Sequence, residues 1–154
     1  MSRLRRLALL AAAAALPALG LTLAGQATAS AAPNFQVPFK CGVTVDAATY
    51  SGHSPEYSVD FQKSGITGMP VLASASGTVT RVENEGSASY GRWIEVDHGS
   101  GWRSRYAHLS TQSVSVGQSV IGGKQLGTAG STGNVTGPTC TSKSGSTASC
   151  RRRS

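Results

Sequence analysis

The stretch RWIEVDHGSGWRSRYAHLS, residues 92–110, constrains the fold more than any other part of the sequence. Residues 92–97 are rich in aromatic and β-branched residues, and residues 102–109 alternate in the same way. Between them, residues 98–101 supply two glycines that are free to take positive φ, so the pattern predicts a β-hairpin. Side chains on a strand repeat every two residues, so four residues of the second arm are expected to share one face: Trp102, Ser104, Tyr106 and His108.

Short segments of the same kind follow one another along the chain at a spacing of roughly ten residues, separated by Gly, Ser and Pro. In EYSVDFQ, residues 56–62, we expect Asp60 to lie on the polar face, opposite Val59 and Phe61. Further short strands are predicted within residues 70–73, 77–83 and 114–127. No segment has an apolar period of 3.6 residues, so the sequence predicts an all-β domain, a single antiparallel sheet or sandwich with a groove.

The N-terminus has the features of a secretory signal peptide rather than of the folded domain. Three arginines precede an Ala/Leu-rich run at residues 7–23, and Ala29-Ser30-Ala31 resembles a cleavage site. An uncleaved membrane anchor is the alternative. We therefore expect a signal peptide at 1–31, an N-terminal extension at 32–51 and the folded domain at 52–138. We expect the mature protein to be secreted to the cell wall, free of the membrane after cleavage, and monomeric.

The formal net charge of +7 is misleading as a guide to partners. Three arginines belong to the predicted signal peptide, and three more form the run at residues 151–153. The remaining chain holds eight Lys and Arg against seven Asp and Glu. Because no basic stripe with interleaved aromatic residues is present, a nucleic-acid partner is not expected.

Three residues are candidates for chemistry: His53, Asp60 and His108. Histidine and carboxylate side chains are what a catalytic zinc needs, since such sites use three protein ligands and keep one position open for water. The loop GSTGNVTGP, residues 130–138, could bring a further strand to the same cleft. Taken alone, these signals are weak, because each residue could equally be a solvated or structurally partnered side chain.

The chain resembles the M23 metallopeptidases, the lysostaphin and LytM-like cell-wall endopeptidases. The resemblance covers residues 52–138 and rests mainly on YAHLS at 106–110 and on the GSTGNVTGP loop. It implies an antiparallel β fold, one zinc ion, and cleavage of peptide cross-bridges in peptidoglycan. His53 and Asp60 match the first two zinc ligands of the family, with a longer gap between them than in its short motif. His108 matches a catalytic histidine.

The resemblance breaks after Pro138. The family has His-x-His there, typically HLHFE, in which the first histidine is catalytic and the second is the third zinc ligand. This chain has TCTSK at residues 139–143 and no histidine after His108. Thr-Cys-Thr-Ser-Lys can be encoded as ACC TGC ACT TCG AAG. One added C in front gives CAC CTG CAC TTC GAA, which encodes His-Leu-His-Phe-Glu.

This codon match suggests that a one-base deletion has shifted the reading frame. Residues 139–154 are then an aberrant tail, expected to be disordered, and Cys140 and Cys150 carry no disulfide meaning. Cys41 is the only cysteine encoded in the original frame, and the sequence leaves its disulfide state open. His53 and Asp60 alone would hold zinc weakly, and the sequence predicts a zinc endopeptidase of impaired or absent activity.

Two other functions are compatible with the sequence. A non-catalytic peptidoglycan-binding or regulatory module would share the fold, and the missing His-x-His keeps that possibility open. A biotinyl- or lipoyl-like carrier could share the Gly-punctuated strands of residues 114–127. The only nearby lysine, Lys124, lacks the flanking methionines expected of such a carrier.

Overall fold

The computed structural model describes residues 31–49, 51, 58–135 and the backbone of residues 140–143. The described residues form ten strands and no helix. In chain order the strands are β1 Asp46–Ala48, β2 Ser58–Gln62, β3 Pro70–Leu72, β4 Gly77–Asn84, β5 Arg92–Gly99, β6 Trp102–Tyr106, β7 Leu109–Gln112, β8 Ser119–Val120, β9 Gln125–Ala129 and β10 Cys140–Lys143. Among these residues there is accordingly no helix long and apolar enough to span a membrane.

The strands form two antiparallel sheets. The larger has the order β1-β2-β10-β6-β5-β4-β8, and the smaller has the order β3-β9-β7. A single hydrophobic core draws residues from both sheets, with Val71, Leu109 and Leu126 from the small sheet and Ile94 and Tyr106 from the large one. The predicted all-β, antiparallel, sandwich-like fold is confirmed.

The hairpin forms, but its boundaries differ from the prediction. His98 lies inside β5 rather than in the turn, which is made by Ser100 and Gly101 at φ 52° and 82°. Ser104 and Tyr106 share a face as expected, and the Ser104 hydroxyl bonds the Tyr106 hydroxyl at 2.9 Å. β6 ends at Tyr106, however, so the prediction that His108 continues this face was wrong.

The N-terminal segment is part of the core rather than an extension outside it. Phe35 and Phe39 are buried, and Phe39 packs edge-on against Phe61 at 5.6 Å between ring centroids. β1 then pairs with β2. Because Phe35 and Phe39 are buried, the fold includes residues that the sequence analysis assigned to an N-terminal extension before the domain.

Two further features of the structure were not predicted from the sequence. Cys140–Lys143 forms a strand inside the large sheet, so disorder is the wrong description for these four residues. Cys41 is disulfide-bonded, and the only other cysteines in the sequence are Cys140 and Cys150. The sequence left the disulfide state of Cys41 open, and the structure adds this bond.

Candidate functional site

Asp60 lies on the outer face of the large sheet. Its strand neighbours Val59 and Phe61 contact the hydrophobic core, and alternation then places the Asp60 side chain on the face opposite Phe61. Asp60 as a whole is partly buried. The polar-face assignment made from EYSVDFQ is consistent with this arrangement.

The strand that follows the GSTGNVTGP loop pairs directly with the strand of Asp60. In the β10–β2 ladder, position 141 stands across from Asp60 and position 140 across from Phe61. Directly paired positions of an antiparallel ladder lie on the same face of the sheet. The family resemblance puts a metal-binding histidine at position 141, and this chain has threonine there.

His108 lies where the chain leaves the large sheet and enters the small one. Its backbone φ of 59° is in the left-handed region, which histidine adopts more readily than most residues. This bend ends β6 and lets β7 start one residue later, at Leu109, in the other sheet. β10 separates β2 from β6, so the end of β6 lies two strand spacings from Asp60, about 10 Å.

The ring of His108 is held in one orientation by a backbone carbonyl. The side chain is 8% exposed, its Nδ1 lies 2.9 Å from the carbonyl oxygen of Thr132, and its backbone N–H donates to the Tyr90 carbonyl at 2.9 Å. A carbonyl can only accept, so Nδ1 carries the proton. The neutral ring consequently keeps its lone pair on Nε2, the nitrogen available to act as a base.

The side chain of Thr132 holds this residue in place through hydrogen bonds to two neighbouring segments. Its hydroxyl donates to the Leu109 carbonyl at 2.8 Å and accepts the backbone N–H of Arg92 at 2.9 Å. The sequence analysis singled out the loop that contains Thr132 but not this residue. Only the three-dimensional contacts show that its carbonyl faces a histidine 24 positions earlier in the chain.

The loop at residues 131–135 docks closely on the loop at residues 85–91. Gly133 N–H donates to the Gly86 carbonyl at 3.0 Å, and Asn134 N–H donates to the Ser89 carbonyl at 2.9 Å. A Cβ on Gly91 would stand 2.4 Å from the Gly133 nitrogen, so only glycine permits the approach. This contact fixes the segment that carries the Thr132 carbonyl.

Charged and aromatic side chains cover the outer face beyond β10. The Arg105 guanidinium stacks over Trp93 at 4.6 Å and pairs with Glu95 at 3.0 Å. On the loop beside them, hydrogen bonds from Ser89 and then from Trp93 hold the pKa of Glu85 below its usual 4.5. The ion pair with Arg105 partners the buried Glu95 carboxylate.

The predicted site residues are only partly brought together within the described part of the chain. Asp60 and the end of β6 flank β10, whereas His53 lies outside the described residues. No three His, Cys, Asp or Glu side chains among the described residues are placed to hold a metal ion. Because threonine is not a usual zinc ligand, the residues described here do not by themselves complete a zinc site.

Comparison with known proteins identifies the family to which this arrangement belongs. The sequence profile of peptidase family M23 matches residues 54–142, more than half of the chain. The chain belongs to peptidase family M23. The M23 match begins one residue after His53 and includes three residues of β10. The family identification made from YAHLS and GSTGNVTGP is therefore confirmed.

Curated relatives share the same region. The cell division protein DipM of Caulobacter vibrioides is 44% identical over 71 residues, which are 46% of this chain and 12% of that protein. The peptidoglycan DD-endopeptidase ShyA of Vibrio cholerae is 41% identical over 71 residues, 46% of this chain and 16% of that protein. The M23 chain thus spans less than a fifth of the length of these relatives.

Solved structures agree with the fold. A peptidase M23 structure from Pseudomonas aeruginosa has a TM-score of 0.56 and 33% identity, and covers 71% of this chain and 43% of that one. Lysostaphin from Staphylococcus simulans has a TM-score of 0.54 and 30% identity, and covers 74% of this chain and 46% of that one. Both support an M23-type β architecture for the described residues.

Proposed function

We propose that this chain is a secreted M23 zinc endopeptidase of bacterial peptidoglycan in an impaired form, whose third metal ligand and second catalytic histidine have been replaced by threonine. The observation that carries the proposal is the register of β10. The backbone still pairs position 141 with Asp60, as a ligand shared between the two strands requires. What this chain lacks is a pair of histidine side chains at positions 139 and 141, where it has threonines.

His108 supports the catalytic part of the proposal. Its Nδ1–H is committed to the Thr132 carbonyl, which leaves Nε2 to accept a proton or, when protonated, to stabilise an oxyanion. We assign His108 this role in the form of the protein that has the His-x-His residues. His53 and Asp60 are the proposed metal ligands that remain, and peptidoglycan peptides are the proposed substrate because ShyA is a peptidoglycan endopeptidase.

The test restores both histidines in this chain. The Thr139→His, Thr141→His double variant should bind one zinc ion, measured by calorimetry and by metal analysis after dialysis, whereas the unaltered chain should not retain zinc. The restored variant should also cleave oligoglycine or purified peptidoglycan. As the matched control, Asp60→Asn in the restored background should lose zinc again, because it removes one ligand and changes few atoms.

Two results would reject the proposal. Stoichiometric zinc binding and cleavage by the unaltered chain would show that it is not impaired. A restored variant that folds but binds no zinc would show that position 141 does not share a site with Asp60. Sequencing the gene around the Pro138 codon separately tests the frame shift, which fails if no HLHFE frame underlies residues 139–143.

A non-catalytic peptidoglycan-binding module is the second candidate. The observation that favours it is that no three potential metal ligands converge among the described residues. Co-sedimentation of the unaltered chain with insoluble peptidoglycan would support this function, provided that it persists when a chelator has removed divalent metal ions.

A further inference from the structure

One arginine on the large sheet differs from the others in its partners. Among the described residues, Arg81 and Arg105 form ion pairs with Glu95, and Arg103 pairs with Asp97. Arg92 is half-buried, yet it forms no ion pair within this part of the chain. Its guanidinium makes one hydrogen bond there, from Nη1 to the Ser110 carbonyl at 2.9 Å.

A partly solvent-exposed cation without a carboxylate partner can bind an anionic ligand. Removing a charge from water is unfavourable unless the charge is paired or hydrogen-bonded. A guanidinium has five N–H donors in a planar fork, and a single carbonyl uses only one of them. The remaining donors of Arg92 can take a further acceptor.

Arg92 lines a cleft of about 360 Å³ between the two loops that hold His108 in place. This volume is within the range that binds small ligands. One wall is formed by the loop after β4 and the other by the loop after β9, with these lining residues: Asn84, Gly86, Ser87, Arg92, Ser131, Thr132 and Gly133. The hydroxyls of Ser87 and Ser131 and the amide of Asn84 can donate hydrogen bonds, and no acidic side chain lines the cleft.

We infer that this cleft is a carboxylate subsite for peptide ligands, with Arg92 as the residue that recognises the carboxylate. A planar guanidinium matches a carboxylate through two parallel hydrogen bonds, and the serine hydroxyls can complete the coordination. The inference depends on the proposed function only for the choice of a wall peptide as the ligand. Because Thr132 both lines the cleft and holds His108, a peptide bound here would lie beside the proposed catalytic group.

The test measures binding by the full chain, without zinc and without cleavage. The probes are Nα-acetyl-D-alanyl-D-alanine, its C-terminal amide, and inorganic phosphate, titrated by calorimetry or by two-dimensional NMR. The free acid should bind saturably at one site, and the amide should bind about tenfold more weakly or worse, because it loses the charge-assisted pair. The Arg92→Gln variant should lose the preference for the acid.

Arg103→Gln is the matched control, since it removes the same charge from a residue paired with Asp97 outside the cleft. It should bind the acid as the unaltered chain does, within about twofold. If Arg92→Gln does not fold, Arg92→Lys serves instead. It should bind the acid several-fold more weakly than the unaltered chain, since lysine keeps the charge but not the fork.

The inference is overturned if the unaltered chain does not distinguish acid from amide, or if Arg103→Gln weakens binding as much as Arg92→Gln. Tighter binding of phosphate than of the acid would also overturn it, by assigning the cleft to a phosphate source. These outcomes are separate from the zinc test of the proposed function. Acid-selective binding can hold in a chain whose histidine restoration fails, and the reverse is equally possible.

Discussion

Gly91 and Gly133 make the contact on which the orientation of His108 depends, and a pair of alanine substitutions can measure its strength. Gly91 has φ 61° and Gly86 has φ 66°, so alanine is strained by the backbone to the same degree at both. At Gly86 an added Cβ meets nothing within 4 Å. At Gly91 it would meet the Gly133 nitrogen at 2.4 Å and the Thr132 hydroxyl at 2.5 Å.

The expected magnitudes follow from these two contributions. A left-handed backbone destabilises a non-glycine residue by about 1–2 kcal/mol, and both variants lose this amount. Forcing an extra carbon into a packed contact costs a further 1–3 kcal/mol, roughly. Gly86→Ala should therefore lower the free energy of unfolding by about 1 kcal/mol and Gly91→Ala by about 3 kcal/mol.

Urea unfolding followed by circular dichroism measures this difference. With a slope of about 2 kcal/mol per molar urea, the midpoints of the two variants should differ by about 1 M. Gly133→Ala should behave like Gly91→Ala, because its added Cβ would stand 2.4 Å from the Gly91 nitrogen. The double variant should lose less stability than the sum of the two, since both disrupt one contact. Equal midpoints for Gly86→Ala and Gly91→Ala would refute the reasoning.

Two further predictions concern the same region. Thr132→Val leaves the Arg92 N–H and the Leu109 carbonyl without their hydrogen-bond partner. It should therefore lower the free energy of unfolding by about 1–3 kcal/mol and reduce the population of the Nδ1–H tautomer of His108. Thr132→Ser is the control, because serine keeps both hydrogen bonds. Urea unfolding and nitrogen NMR of the imidazole ring would measure this, and a valine variant with the stability and tautomer of the original chain would contradict it. Glu85 has a pKa below 4.5 in the folded protein, so its stabilising contribution is present at neutral pH and is lost as the pH falls through that folded pKa. Glu85→Gln should therefore lower the urea midpoint at neutral pH and leave it unchanged in strong acid; a difference that grows toward acid would show that the sign is wrong.

The fold class could be predicted from the sequence because its strand signals are local. Alternation in RWIEV and EYSVDFQ, together with glycines between short apolar runs, is sufficient for an antiparallel all-β fold. The position of His108 could not be predicted in this way. Period-two alternation assumes that a strand continues, whereas a single positive φ at His108 ends β6 and sends the chain to the other sheet.

The sequence proposes residue types for the candidate site but not the residues that support them. Asp60 and His108 became candidates because family motifs surround them. Thr132 and the pair of Gly91 and Gly133 act through backbone atoms and close approach, which leave no chemical signature in the sequence. The burial of Phe35 and Phe39 was missed for a related reason, since it depends on a core built from distant segments.

The position of β10 has a consequence for the order in which the molecule can be assembled. β10 follows every other described strand in the sequence, yet it is inserted between β2 and β6. During synthesis, β2 and β6 must keep their facing edges open until residues 140–143 emerge, and pairing between such distant segments is slow. The large sheet is thus completed by the segment in which this chain has threonines where the proposed ancestral frame encodes histidines. The proposed change of reading frame would therefore affect the last step of sheet formation as well as the metal-binding residues.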